Sequence, residues 1–457
     1  MRSKLHIVIL AAGIGKRMKS SLPKVLHELA GKPMLSHVLE AAGALQPYRV
    51  CVVIGHGGEQ VRERFCTSDL IWIKQEPQLG TGHALLQALP ELDDEGSTLI
   101  LYGDVPLVQV ETLSRLIQEG LEEKCAILTT ELENPYGYGR IIRNKDTHAI
   151  ACIVEQKDAD ETQLSVNEIN TGIMHIPNRK LHMWLPKLKN DNAQKEYYLT
   201  DLIKMAVDEN IPIVSTQPKH NWEILGVNSR TQMAELERIY QKENANRLLE
   251  DGVTLYDPSR IDVRGQLECG SDVQIDINCL FEGHVKLGNN VKIKANCILR
   301  DVTVSDGTII YPFSHIENSE IGKGCKIGPY SRIRPNTNLN DNVHIGNFVE
   351  IKQSHISSGS KVNHLSYIGD TVIGQNVNVG AGTITCNYDG AYKHQTIIED
   401  NVFIGSDTQL VAPVKISQGT TIGAGSTITK DTPENELTLS RAKQVTLAGW
   451  KRPSKNK

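Results

Sequence analysis

The sequence predicts an α/β domain followed by an all-β coil, and three observations carry that reading. The second half repeats an apolar, mostly β-branched residue at every sixth position. The first half alternates strand-like and helical runs. A chain of 457 residues is too long for one core, so two or three domains are expected.

Composition narrows the class. Aromatic residues are only 5% of the chain, with five Phe, as a slim coil that excludes large rings requires. A net charge of −5 gives no global pull towards nucleic acid or an anionic membrane. The nine cysteines are scattered and contain no C-x-x-C, which argues against a disulfide framework or zinc site and for reduced thiols in a cytoplasmic protein. The opening MRSKLHIVILAAG has a faint signal-peptide look, but its apolar run is short and leads into a glycine loop with basic residues. It reads as a first strand. No stretch approaches the ~20 apolar residues of a transmembrane helix.

In order, the first half reads as strand LHIVIL, a helix from Pro33 to about Leu45, strand RVCVVIG and a helix near Glu59–Phe65. Strand LIWIKQ, a helix near His83–Leu89, strand TLILYGD and a helix near Val110–Glu119 follow. Such alternation builds a mostly parallel sheet covered by helices on both faces, with ligands at the carboxyl ends of the strands.

Three strand ends carry candidate chemistry. In Leu10-Ala11-Ala12-Gly13-Ile14-Gly15-Lys16-Arg17-Met18, small residues let backbone N–H groups approach a phosphate, and Arg17 and Lys24 add positive charge. The alternative is an ordinary tight turn; the loop is neither a dinucleotide fingerprint nor a Walker loop. In Gln75-Glu76-Pro77-Gln78-Leu79-Gly80-Thr81, an amide beside glycine backbone can match the edge of a pyrimidine, or the loop caps the next helix through Thr81. In Leu101-Tyr102-Gly103-Asp104, the carboxylate suits magnesium beside substrate phosphates, or it is a helix cap.

Ser229-Arg230-Thr231-Gln232 reads as a capping box opening a connecting helix, with Met233, Leu236, Tyr240 and Leu248-Leu249 on its apolar side and Gly252 as its stop. The expected divisions are 1–230, a linker helix at 231–251, and 252–457.

Beyond the linker, Ile275, Phe281, Leu287, Ile293 and Leu299 keep a six-residue period, as do Ile321, Ile327, Ile333, Leu339, Ile345 and Ile351. Ile398, Ile404, Leu410, Ile416, Ile422 and Ile428 do so again. This is the signature of a hexapeptide β-helix whose coils stack about 4.8 Å apart. Arg334 and Lys352, 18 residues apart, should stack on one edge, a pair of cations suited to a phosphate between them. The register slips by one residue between Ile351 and Ile356 and between Ile368 and Ile373. In this disturbed region His364 and Tyr367 should point outward, with His364 a general base beside the two cations or a structural histidine. Ser406 and Ala424 should stack as a ridge. Thr385 to Thr396 breaks the hexads as a projecting loop, and the chain closes on a basic tail, GWKRPSKNK.

The L-A-A-G-x-G-x-R-M…P-K loop, Q-L-G-T-G-H-A, L-Y-G-D-V-P and the hexapeptide repeats, with HLSYIGD and NVGAGTITCNYDG, resemble the bacterial family of bifunctional N-acetylglucosamine-1-phosphate uridyltransferases / glucosamine-1-phosphate acetyltransferases. The resemblance covers nearly the whole chain. The fold it implies is an N-terminal Rossmann-like nucleotidyltransferase domain, a linker helix and a left-handed parallel β-helix.

It implies that Leu10, Ala11, Ala12 and Gly13 hold the nucleotide, with Arg17 and Lys24 on the triphosphate and departing pyrophosphate. Gln75, Gly80 and Thr81 would read uracil; Tyr102, Gly103 and Asp104 would form the ribose and metal site; Gly139, Glu155 and Asn170 would contact the sugar. Asn228 would be the second magnesium ligand beside Asp104. In the coil, Arg334, Lys352, Tyr367, Asn378 and Lys393 would hold the amino-sugar phosphate, and His364 would take the proton from its amine. Asn387 and Tyr388 would line the reacting centre, and Ala381, Ser406, Ala424 and Arg441 the acetyl-CoA groove.

The implied activities are acetylation of glucosamine-1-phosphate by acetyl-CoA, then uridylyl transfer from UTP to N-acetylglucosamine-1-phosphate, with Mg2+. The product, UDP-N-acetylglucosamine, would serve the cell envelope. The implied assembly is a cytoplasmic homotrimer through the β-helix, with Lys393 lent to a neighbouring copy, and without nucleic-acid or membrane partners. The alternative reading keeps the pyrophosphorylase and makes the coil a structural or regulatory module.

Overall fold

The computed structural model describes residues 4–65 and 69–455 and separates into two compact units, Met1–Tyr240 and Gln241–Lys457. Cys66 lies outside the described residues, and the other cysteines are free thiols. Among the described residues no helix is long and apolar enough to cross a membrane.

The first unit is built on a nine-stranded sheet. Its strands are β1 (Leu5–Ala11), β2 (Arg49–Ile54), β3 (Leu70–Lys74), β4 (Ser97–Tyr102), β5 (Cys125–Glu131), β6 (Gly139–Arg143), β7 (Ile150–Val154), β8 (Glu168–Pro177) and β9 (Ile213–Thr216). Their order is β9-β5-β8-β4-β1-β2-β3, with β6 and β7 extending from β8. β1, β2, β3 and β4 run parallel, whereas β8 is antiparallel to its neighbours. Val8 and Leu10 pack into a core on one face, and Ile7, Ile9 and Ala11 into a core on the other. A strand buried on both faces therefore reads as a continuous apolar run, which is how LHIVIL looks. The helices Met34–Ala44, Gly58–Arg64, Thr81–Ala88 and Val110–Glu119 lie where the sequence pattern puts them, within two residues at each end.

The helix Arg230–Glu250 differs from expectation in two details. Ser229 Oγ accepts from the Gln232 N–H at 3.3 Å, but the Gln232 side chain reaches back to the N–H of Asn228, at 2.8 Å, rather than to the cap residue itself. Gln241, Asn244, Ala245 and Leu248 follow a three-and-four spacing and are buried, as is Leu236, while Leu249, a further 100° round the helix from Leu248, is exposed. Gln241 compensates its burial by exchanging two hydrogen bonds with the backbone of Val263, 2.7 and 2.9 Å.

The second unit is a parallel β-helix. Every hexad residue from Ile275 to Ile428 named above is buried in one core. Ile275 pairs with Ile293, Ile327 with Ile345 and Ile404 with Ile422, steps of 18 residues, but Ile310 with Ile327 and Ile345 with Val362 are steps of 17. The shorter coils account for the slips in period. Tight corners use left-handed residues, chiefly Asn and Asp such as Asn290, Asn342, Asn376 and Asn401, whose short polar side chains tolerate that conformation. One corner departs from this. Phe313, Tyr330, Phe348 and Leu365 hold positive φ and are exposed, and the three rings stack in sequence.

Candidate active sites

The carboxyl ends of β1, β3 and β4 open into a cleft of about 480 Å³. It is lined by Leu10, Ala11, Ala12, Gly13, Lys24, Gln75, Gly80, Thr81, Tyr102 and Asp104, ten of the residues anticipated for the nucleotide. The Lys24 ammonium donates to Asp104 Oδ2 and, at 3.1 Å, to Asn228 Oδ1. Two oxygens from segments far apart in sequence thus converge on one positive charge. A carboxylate and a neutral amide oxygen are also a donor set that suits a hard divalent cation keeping most of its water and phosphate ligands. The backbone secures this pair: the Val227 N–H donates to the Asp104 carbonyl at 2.9 Å, and Gln232 holds the Asn228 N–H.

Gln75 is buried, and its amide donates to the Gly80 carbonyl at 2.9 Å and meets His83 Nδ1 at 3.1 Å. Thr81 begins its helix rather than capping it with its side chain; its hydroxyl accepts from the Leu199 N–H at 3.3 Å. Arg17 is exposed on the turn Lys16–Met18, which Met18 anchors in a core, and is not among the residues lining the cleft. Gly103 lies beneath it, against Val25 and Ala11.

Gly139, Glu155 and Asn170 come together on adjacent strands. Asn170 is the register partner of Gly139, and Glu155 Oε2 stands beside Gly139. Burial pushes the Glu155 carboxyl up, against a hydrogen bond from the Thr200 hydroxyl at 3.1 Å. Tyr102 links this group to the cleft: burial, reinforced by the charges of Glu155 and Asp104, raises its phenol. Gly172, with φ of 84°, lies against the Tyr102 ring, where a Cβ would come within 2.5 Å. Arg140 is buried and holds the Tyr138 carbonyl and Gln156, so it braces the turn. Sequence reasoning missed Gln78 and Glu196 in the cleft lining, and Gly172 and Thr200 behind it. Gln78 lies inside a segment the sequence singles out, and Gly172 stands two residues after Asn170 in another.

In the β-helix, Arg334 and Lys352 do stack: Ile333 pairs with Ile351, and the Arg334 N–H donates to the Ile351 carbonyl. They do not face one another unopposed, as the sequence suggested. Arg334 pairs with Glu350 at 2.8 Å, and Lys352 lies 3.6 Å from Asp370. Asp370 also accepts from the Asn387 amide. Tyr367 and Asn387 crowd the space beside Gly369, whose absent Cβ leaves room for the Tyr367 hydroxyl. Lys393, on the projecting loop, stands beside Lys352 of its own chain, and that ammonium holds it below the usual lysine range. Tyr388 is exposed on the same loop, bridged to Lys393.

His364 is exposed on the neighbouring sheet, as expected, one corner away from Tyr367. No hydrogen bond or ion pair among the described residues joins its ring, or Asn378, to the Lys352 group. Ala381, Ser406 and Ala424 form a ridge: the Asp407 N–H donates to the Ala381 carbonyl and the Gly425 N–H to that of Ser406. The Arg441 guanidinium donates to the Ala424 carbonyl at 3.0 Å.

Comparison with known proteins follows this division. Residues 7–255 match the family described as a MobA-like NTP transferase domain, residues 263–337 a GMPPB C-terminal domain, and residues 395–430 a bacterial transferase hexapeptide of six repeats. The chain is 62% identical to the bifunctional protein GlmU of Nitrosospira multiformis, over 99% of this chain and 98% of that one. It is 63% identical to the protein of the same name from Nitrosomonas europaea, over 99% of each. A solved nucleotidyl transferase from Methanothermobacter thermautotroptrophicus aligns with 53% of this chain and 99% of its own, at 18% identity and a TM-score of 0.39.

Proposed function

The chain belongs to the family of the bifunctional protein GlmU, and from that premise we propose how its two units divide the chemistry. It is a bifunctional enzyme that acetylates glucosamine-1-phosphate with acetyl-CoA and then transfers UMP from UTP to N-acetylglucosamine-1-phosphate, releasing pyrophosphate. In our reading residues 1–230 carry uridylyl transfer, 252–457 carry acetyl transfer, and 231–251 connect them.

The observation that carries the first assignment is the convergence of Lys24, Asp104 and Asn228 at the mouth of a cleft lined by small residues. Asp104 and Asn228 would hold Mg2+, which when bound supplies charge neutralisation to the triphosphate. Lys24 and Arg17 then bear on the triphosphate and the departing pyrophosphate. The glycine loop offers backbone N–H groups, and Gln75, Gly80 and Thr81 receive the base. Tyr102 and Gly103 border the ribose, while Gly139, Glu155 and Asn170 orient the acceptor sugar. A phosphate oxygen of the sugar phosphate attacks the α-phosphorus in line. Positioning and charge stabilisation, rather than covalent catalysis, are asked of the protein.

In the coil, Arg334, Lys352, Tyr367, Asn378 and Lys393 hold the amino-sugar phosphate. His364 takes a proton from the amine as its nitrogen attacks the thioester carbonyl, and coenzyme A leaves. Asn387 and Tyr388 line that centre; Ala381, Ser406, Ala424 and Arg441 line the thioester's groove. His364 and the Lys352 group lie on different sheets, which supports a site completed by other copies of the chain in a homotrimer. The exposed apolar corner of Phe313, Tyr330, Phe348 and Leu365 runs towards His364 and supports the same assembly. We place the protein in the cytoplasm, with its small-molecule substrates.

One pair of variants tests the division, with free thiol and pyrophosphate followed separately. His364→Ala should lose acetyl transfer by about 10²- to 10⁴-fold and keep uridylyl transfer. Asp104→Ala should do the reverse. Loss of both activities in either folded variant would overturn the two-site reading.

A further inference from the structure

Gln78 lies within the segment read as uracil-binding and reaches the glycine loop, and no role follows for it from the reading above. Its amide Nε2 donates to the Ala12 carbonyl at 3.0 Å, across 66 residues of sequence. The space it uses exists because position 55 is glycine: a Cβ there would fall on Gln78 Nε2 and the Ala12 carbonyl oxygen. Ala12 is buried and follows directly on the end of β1, so the peptide joining it to Gly13 is the first one free of the sheet.

A trans peptide is planar, with its C=O and N–H pointing in opposite directions. Fixing the Ala12 carbonyl against Gln78 therefore fixes the Gly13 N–H on the other side of the same plane. That N–H makes no hydrogen bond among the described residues, and Gly13 itself lines the cleft. Without the Gln78 bond the plane could rotate, presenting the carbonyl oxygen to an anion in place of the donor.

We propose that Gln78 is a positioning residue for uridylyl transfer, which turns the Gly13 N–H towards the nucleotide triphosphate by holding the carbonyl of the same peptide. This rests on the reading of the glycine loop as the nucleotide site. Gln78 acts through the backbone, so its loss weakens capture of UTP more than the chemical step.

The test is steady-state uridylyl transfer by the full-length enzyme carrying Gln78→Met, Gln78→Glu or Gly55→Ala, with UTP and N-acetylglucosamine-1-phosphate varied separately. Met and Glu keep the length of the side chain but cannot donate. Each variant should raise KM for UTP about tenfold, with kcat and KM for the sugar phosphate changed less than about threefold. The Gly55→Ala/Gln78→Met double variant should be no worse than the poorer single one, because both break the same bond. Equal loss of affinity for both substrates, a fall in kcat alone, or additive effects in the double variant would overturn the proposal. Lys24→Ala separates the two levels. If it leaves KM for UTP unchanged, the nucleotide reading of the loop fails; if it raises KM while Gln78→Met does not, only the role of Gln78 fails.

Discussion

His175 is 1% exposed between the sheet and the C-terminal end of the helix Val110–Glu119, against Gly120, and neither ring nitrogen has a hydrogen-bond partner among the described residues. Burial alone pushes its pKa down to about 4. The unfolded chain binds that proton near pH 6.5 and the folded one does not. The stability contributed by a neutral His175 is therefore complete above pH 6.5 and is lost as pH falls towards 4, by on the order of 3 kcal/mol. His175→Leu should flatten thermal stability across that interval relative to the parent; parallel pH profiles would show that other groups set it. The sequence gives no sign of this burial. It does show most residues bordering the cleft of the first unit, because they cluster at strand ends. It does not show Gly172 against Tyr102, or Glu350 and Asp370 beside the stacked cations, because those meetings depend on which strands become neighbours and how corners turn.

At the scale of the element, the hexads were legible because one inward position per side decides burial, and each of the hexad residues obeys it. Coil length was less so. The one-residue slips after Ile351 and Ile368 were visible, and there the coils close in 17 residues, with left-handed Gln353 and Asp370 at the shortened corners; the 17-residue step from Ile310 to Ile327 was not read. The core is narrow, and a truncated side chain has few neighbours able to move into the gap. Ile345→Ala should cost about 2 to 5 kcal/mol in denaturant unfolding of the full chain. A cost below about 1 kcal/mol would mean the coil relaxes around the loss. The linker helix shows the opposite limit. Its buried stripe includes Gln241 and Asn244, polar residues that periodicity of apolar positions cannot reveal.

At the scale of the molecule, two units have separate cores, and the assembly proposed above concerns the second. Bulky residues at positive φ cost about 1–3 kcal/mol each, which a free surface would not retain. Phe348→Asp relieves that strain, since Asp tolerates the left-handed region, while placing a charge in the proposed contact. Light scattering should then show a smaller species with little acetyl transfer and undiminished uridylyl transfer; an unchanged mass would exclude this corner from the interface. The projecting loop has a different consequence. Ile373 pairs with Ile398, Val379 with Ile404 and Ile384 with Gln409, each 25 residues on, so every side of the coil resumes its rung after the insertion. The nine residues from Asn387 to Gln395 are in effect a cassette clipped into a continuous spring. With Tyr388 and Lys393 assigned to the acceptor site as proposed, grafting a different loop at this point changes the acceptor recognised while leaving the winding of the spring untouched.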